Sequence, residues 1–251
     1  MTHHNGRRYL IFAATSGIGA DLVHRLAAAG ARLALAARNA AALKELAATV
    51  DAAPYPYDAG SFASAEAAAA GAVGALGGLD GVVCLSGSLL LKPAHLTTEA
   101  EWAQTVSANA TAAFGVIRAT ARLLGSTGGG SIVLVSSAAA RIGLPNHEAI
   151  AAAKAAVEGL ALSAAASYAR QNVRINCVAP GLIRTPLTKA VIATEAGEKA
   201  STAMHPLGRL GEAADPSAAI AWLLSQEAAW VTGQVLGVDG GLGRLKTPAR
   251  G

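Results

Sequence analysis

From Arg8 onward, short apolar runs alternate with stretches whose apolar residues recur at helical spacing. RYLIFAA (8–14) has the length and continuity of a buried strand, and GADLVHRLAAAG (19–30) behind it reads as a helix closed by Gly30. ARLALAAR and NAAALKELAATV repeat the pair, with Asn39 as N-cap, followed by a short strand in APYPYD and a helix in SFASAEAAAAGAVGALG. LDGVVCLSG predicts a fourth strand, Thr98 to Leu124 a long helix, GSIVLVSS a strand and residues 147–170 a helix. NVRINCVAP then reads as a strand, 185–210 as an irregular and mobile stretch, PSAAIAWLLSQ as a helix and GQVLGVDGG as a last strand. Strands apolar on both faces and separated by helices imply a parallel sheet covered on both sides. No linker or short repeat interrupts the pattern, so one doubly wound domain over residues 1–251 is expected.

Composition supports a large core. Of 251 residues, 53% are hydrophobic and 14% charged, which leaves little room for disorder. Alanine and glycine dominate over aromatics, which favours close packing of helices on a sheet. The net charge of +4 is spread thinly, and its densest groups, Arg7-Arg8 and the tail GRLKTPARG, lack interleaved aromatics. Nucleic acid is therefore not an expected partner, and an anionic small ligand accounts for the excess equally well. Cys84 and Cys177 sit in apolar runs as buried free thiols. No membrane segment, signal h-region or metal-ligand cluster is read in the chain, and a cytoplasmic protein is expected.

The turn after the first strand, FAATSGIGADL, carries the first chemistry. Gly17 and Gly19 stand where backbone passes close to a pyrophosphate, and the helix behind them offers free amides and a positive dipole end. A Gly-x-Gly alone is common in tight turns; its place directly after the first strand sharpens it. The second strand ends Ala37-Arg38, a cation and no carboxylate, which suits a 2′-phosphate and hence NADP(H). The same arginine also reads as a solvated strand-end residue.

Together these features make the chain resemble the single-domain short-chain dehydrogenases/reductases over Tyr9 to Leu242. The matching residues come in the family's order: SGIG (Ser16, Gly17, Ile18, Gly19), Asp58, Ser86-Gly87, Asn109, Ser137, Lys154, VAPGLIRT (with Pro180, Gly181, Ile183 and Thr185) and VTGQVLGVDGG. The resemblance implies a Rossmann-like three-layer αβα fold, a nicotinamide cofactor bound by those glycine-turn and PGLIRT residues, and a homo-oligomer, most often a tetramer. Two departures stand out. The turn opens Phe12-Ala13 instead of Thr-Gly, and alanine is expected to exclude φ > 0 there; after the fourth strand stands Cys84 to Gly87, CLSG, instead of Asn-Asn-Ala-Gly.

In that family a tyrosine one helical turn before the lysine exchanges a proton with the substrate oxygen. The lysine lowers the phenol's pKa from about 10 and holds the nicotinamide ribose. A serine bonds the reacting oxygen, and an asparagine on the long helix positions a water. Ser137, Lys154 and Asn109 take those places, and Ile150 occupies the position of the tyrosine, on one helical face with Lys154. Isoleucine moves no proton, which removes a contribution of roughly 10²- to 10⁴-fold. His147, two turns before Lys154, is the candidate substitute, with Asn146 expected as N-cap and His147 in the first turn. Enoyl-reductase-like members of the family place their tyrosine at this spacing. His147 also reads as an exposed loop histidine, and Tyr168 lies too far along the helix to serve.

Residues 185–210 occupy the position of a substrate lid, and Leu187, Val191, Ile192, Met204 and Leu207 there suit a hydrophobic small-molecule substrate. His205 is a weaker second histidine candidate. The expected function is an NADP(H)-dependent oxidoreductase with a modified proton relay. A non-redox enzyme (an isomerase, dehydratase or cyclase) and a silent binding subunit remain the alternatives.

Overall fold

The computed structural model describes residues 3–246, so the end of the basic tail, 247–251, lies outside the described residues. Seven parallel strands form one sheet in the order β3-β2-β1-β4-β5-β6-β7. They are β1 (Arg8–Phe12), β2 (Arg32–Ala37), β3 (Ala53–Pro56), β4 (Gly81–Cys84), β5 (Gly130–Val135), β6 (Val173–Pro180) and β7 (Val235–Val238). The order reverses between β1 and β4, which opens a crevice at their carboxyl ends, where open α/β sheets bind ligands. This is the Rossmann-like doubly wound α/β fold.

The helices are α1 (Gly17–Ala28), α2 (Ala40–Thr49), α3 (Phe62–Leu76), α4 (Glu99–Val106), α5 (Ala112–Ser126), α6 (Glu148–Tyr168), α7 (Glu195–Ala203) and α8 (Ala214–Leu224). Strand alternation sorts the core into two layers. Leu10 and Phe12 of β1 pack with α3, α5 and α6 on one face, and Tyr9 and Ile11 pack with α1, α2 and α8 on the other. Alanine makes the layers thin. Ala65, Ala68, Ala69 and Ala72 form the buried stripe of α3 at helical spacing. Helix α6 has the length and hydropathy of a membrane span, with its apolar residues Val157, Ala161 and Ala165 buried in the core.

Four local expectations are corrected. The long helix is not uniform: α4 and α5 are joined by a π-helical turn, Ser107–Thr111. Asn146 is not the N-cap of α6; it sits at φ 64°, and His147 is the capping residue, outside the first turn. Ala13 does adopt positive φ, 56°, because the Ala14 N–H must turn to the Ala36 carbonyl while the Ala13 carbonyl accepts the Ser16 N–H. The stretch 185–210, read as irregular, contains α7, capped by Thr194.

Candidate active site

The turn after β1 is closed by Ser16, whose hydroxyl accepts the Gly19 N–H at 3.1 Å and caps α1. The N–H groups of Gly17 and Ile18 in the first turn have no intrahelical partner, which leaves them to an anion. Both glycines are required by space. A Cβ on Gly19 would stand 2.5 Å from the Ala14 carbonyl oxygen, and one on Gly17 would stand 2.8 Å from the Thr185 methyl. The turn therefore fits the pyrophosphate of a dinucleotide, with the loop after β6 packed directly against it.

An apolar cavity opens at the carboxyl ends of β1, β4, β5 and β6. Its walls include Ser16, Gly17, Ile18, Gly87, Ser137, His147, Ile150, Lys154, Pro180, Gly181, Ile183 and Thr185. These residues come from distant parts of the sequence and were each picked out by motif. Leu187, Val191, Met204 and His205 of the lid stretch join them, while Ile192 is not among the walls and Leu207 lines a neighbouring cavity. Sequence reasoning passed over Leu85, Ser88, Leu89, Leu91, Leu144 and Leu182, which also line it. The apolar run SLLL at 88–91 could have signalled Ser88, Leu89 and Leu91; nothing local marks the other three.

Ile150 and Lys154 lie one turn apart on α6, 3% and 7% exposed. The Lys154 Nζ donates to the Val135 carbonyl at 2.8 Å. Burial lowers the ammonium to about 8. The nearby thiols of Cys84 and Cys177 are pushed up by burial, Cys177 to about 12, so both stay neutral and give the lysine no counter-charge. Neighbouring Ser136 is buried, and its hydroxyl donates to Glu158 Oε1 at 2.8 Å, tying the end of β5 to α6. The Ser137 Oγ accepts the Ala139 N–H at 3.2 Å and, among the described residues, donates to nothing.

Asn109 sits in the π turn, where widened helical turns are frequent at functional sites. Its Nδ2 donates to the Thr105 carbonyl at 2.9 Å and to Ser88 Oγ at 3.1 Å, and its Oδ1 accepts the Ser88 N–H at 3.4 Å. A Cβ on Gly87 would meet Asn109 Oδ1 at 3.0 Å and Lys154 Nζ at 3.2 Å, so the glycine keeps the space between them open. The His147 Nδ1 lies 2.8 Å from the Pro145 carbonyl. A carbonyl only accepts, so Nδ1 carries a proton and Nε2 is the nitrogen left for exchange.

Six expected residues lie outside the cavity walls: Gly19 and Asn109, whose places are given above, and four more. Ala13 shapes the glycine turn. Arg38 is exposed at the tip of β2, beside buried Ala37. Asp58 accepts the Gly60 N–H at 3.1 Å in the loop after β3. Ser86 is buried away from the cavity, its hydroxyl 3.3 Å from that of Tyr57. Tyr168 closes α6 at its far end, as expected.

Residues 12–243 match the family described as enoyl-(acyl carrier protein) reductase. A solved short-chain type dehydrogenase/reductase from Mycobacterium ulcerans superposes with a TM-score of 0.92 at 32% identity, covering 95% of this chain and 90% of that one. The chain belongs to the short-chain dehydrogenase/reductase family. Members are oxidoreductases that use NAD(P)(H). An uncharacterized oxidoreductase of Mycobacterium tuberculosis is 36% identical over 241 residues, 92% of this chain and 89% of its own length. A tropinone reductase homolog of Arabidopsis thaliana is 37% identical over 156 residues, which span 62% of this chain and 60% of the plant protein.

Proposed function

We propose that this member is an NADP(H)-dependent oxidoreductase acting on a carbonyl, alcohol or enone of a hydrophobic small molecule, through a proton relay without tyrosine. One observation carries the reading: Ser137, His147, Ile150 and Lys154 line a single apolar cavity together with Gly17, Ile18 and the Pro180–Thr185 loop. Gly17 and Ile18 would receive the pyrophosphate, with Ala13 and Gly19 shaping that turn and Asp58, Ser86 and Gly87 completing the cofactor cleft. Arg38 would receive the 2′-phosphate, Lys154 the ribose, and Pro180, Gly181, Ile183 and Thr185 the nicotinamide side. When bound, NADPH supplies the hydride.

The remaining task is to deliver a proton to the substrate oxygen. Ser137 holds that oxygen with its undonated hydroxyl. Lys154, which burial has brought to about 8, is the group able to supply the proton, and the Nε2 of His147 is the second nitrogen in the cavity open to proton exchange. Asn109, fixed by Ser88, keeps the lysine's proton supply in register. The leucines around Ile150 exclude water and select an apolar substrate.

NADPH binding by calorimetry, followed by turnover of a panel of hydrophobic ketones, tests the reading. Ile150 itself favours a second one: a buried apolar residue beside the lysine suits a non-redox enzyme or a silent binding subunit. NADPH binding with no ketone turnover would favour that reading. A cytoplasmic setting suits the two free, buried thiols. We further propose a homotetramer pairing through α4–α5, α6 and β7, where Phe114 and Leu162 stand exposed. Light scattering at micromolar concentration should give a tetramer's mass.

A further inference from the structure

A second cavity lies behind the first, and Gly181, Leu182, Ile183 and His205 form the wall between them. His205 is 3% exposed, and both ring nitrogens are engaged. Nδ1 lies 2.8 Å from the Ser201 carbonyl in α7, and Nε2 lies 3.1 Å from the Leu182 backbone nitrogen. The carbonyl can only accept and the backbone N–H can only donate, so Nδ1 carries the proton and Nε2 the lone pair. A single neutral imidazole thus joins the lid helix to the turn after β6. Gly181 permits the approach, because a Cβ there would come 2.7 Å from His205 Nε2. Gly240, after β7, flanks the same ring, where a Cβ would stand 3.6 Å away.

We propose that His205 is a positioning residue of the cavity: its imidazole pins the Gly181–Ile183 turn to α7 and so sets where Leu182 meets the substrate. The proposal rests on reading the first cavity as the substrate site. His205 acts through backbone and not on a reacting atom. Both ring nitrogens are spent on backbone partners, so the ring presents only carbon to the cavity and keeps that wall apolar. Losing Nε2 leaves the Leu182 N–H without the acceptor that fixes the turn, an expensive omission where water is scarce. The Leu182 carbonyl still accepts the Gly211 N–H at 3.0 Å, so the turn would loosen on one side while staying tethered on the other.

Amide hydrogen exchange at Leu182 tests this in the full chain and three variants. His205→Asn keeps a donor for Ser201 but falls short of Leu182. His205→Gln places an amide oxygen at the Nε2 position, and His205→Leu fills the volume with neither group. Leu182 should exchange tenfold or more faster in the Asn and Leu variants and near the native rate in the Gln variant, with Ile132 of β5 equally protected in all. With a ketone substrate, KM should rise severalfold in the Asn and Leu variants while kcat changes less, and Gln should restore it. If the larger replacements loosen Ile132 as well, the Asn variant carries the comparison alone. Native exchange at Leu182 in the Asn or Leu variant would overturn the proposal, as would a Gln variant indistinguishable from the Leu one. The exchange measurement needs neither cofactor nor substrate, so failure to bind NADPH would sink the proposed function and leave this result standing.

Discussion

Lys154 on α6 donates its ammonium to the Val135 carbonyl at the end of β5, 2.8 Å away, and has no carboxylate partner among the described residues. One hydrogen bond does not replace the hydration that burial removes, so the charged form is disfavoured in the fold. The folded value, about 8, lies below the ordinary 10.5. The cost is therefore present in full below about pH 8 and disappears as the pH rises from there toward 10.5. Lys154→Met should accordingly be more stable than the native chain at pH 7, on the order of 1 kcal/mol after the orphaned carbonyl is counted. Denaturant unfolding at several pH values should show that gap narrowing between pH 8 and pH 10.5. A gap independent of pH would mean the lysine is not buried as a cation. The same variant should lose NADPH affinity.

Ile150→Tyr restores a phenol one turn from Lys154. Ketone reduction with NADPH should rise tenfold or more, the lower end of what a general acid contributes. Against the native background, His147→Ala should lower turnover and leave NADPH affinity nearly unchanged, because His147 sits on the substrate side of the cavity. Steady-state kinetics with calorimetric cofactor titration separates the two effects. No gain from the tyrosine over a broad ketone panel would favour the non-redox or silent reading.

Arg38 is exposed at the tip of β2, whereas Ala37 beside it is buried and a poor place for a new carboxylate. The cleaner test is Arg38→Leu alone. NADPH affinity should fall about tenfold, the worth of one charge-assisted hydrogen bond, while NADH affinity changes little. The native preference for NADPH should also weaken with added salt, as exposed charge pairs do. Equal affinities for the two cofactors in the native protein would contradict the role given to Arg38.

Ala13 holds φ 56°, a conformation that costs an L-residue about 1–2 kcal/mol. Ala13→Gly removes that strain and adds unfolded-state entropy worth about 0.5–1 kcal/mol. The variant should be more stable by up to about 1 kcal/mol, read from its denaturant midpoint at unchanged slope. A clear loss of stability would show that the Ala13 methyl packs usefully in the turn.

The features legible in the sequence are those set within a few residues of one another. Alternation of strands and helices, the glycine turn, and the shared face of Ile150 and Lys154 follow from periods of two and 3.6 residues per turn. They place Ser137, His147, Ile150 and Lys154 at one end of a parallel sheet before any coordinate is known. The partners of those groups are another matter. The Val135 carbonyl for Lys154, Ser88 for Asn109, and Leu182 for His205 are met through contacts across the fold, and any polar group of suitable shape could have filled each place. Ser86 shows the same limit: its neighbours Leu85, Gly87 and Ser88 line the cavity, yet its own hydroxyl turns to Tyr57, a direction set by the end of β4. The positive φ of Ala13 was likewise decided by the Ala36 carbonyl on the neighbouring strand, which the turn must reach whatever residue stands there. Local spacing determines which residues share a face; only packing determines which hydrogen bonds remain to be satisfied, and those set the protonation and position of the groups in the site.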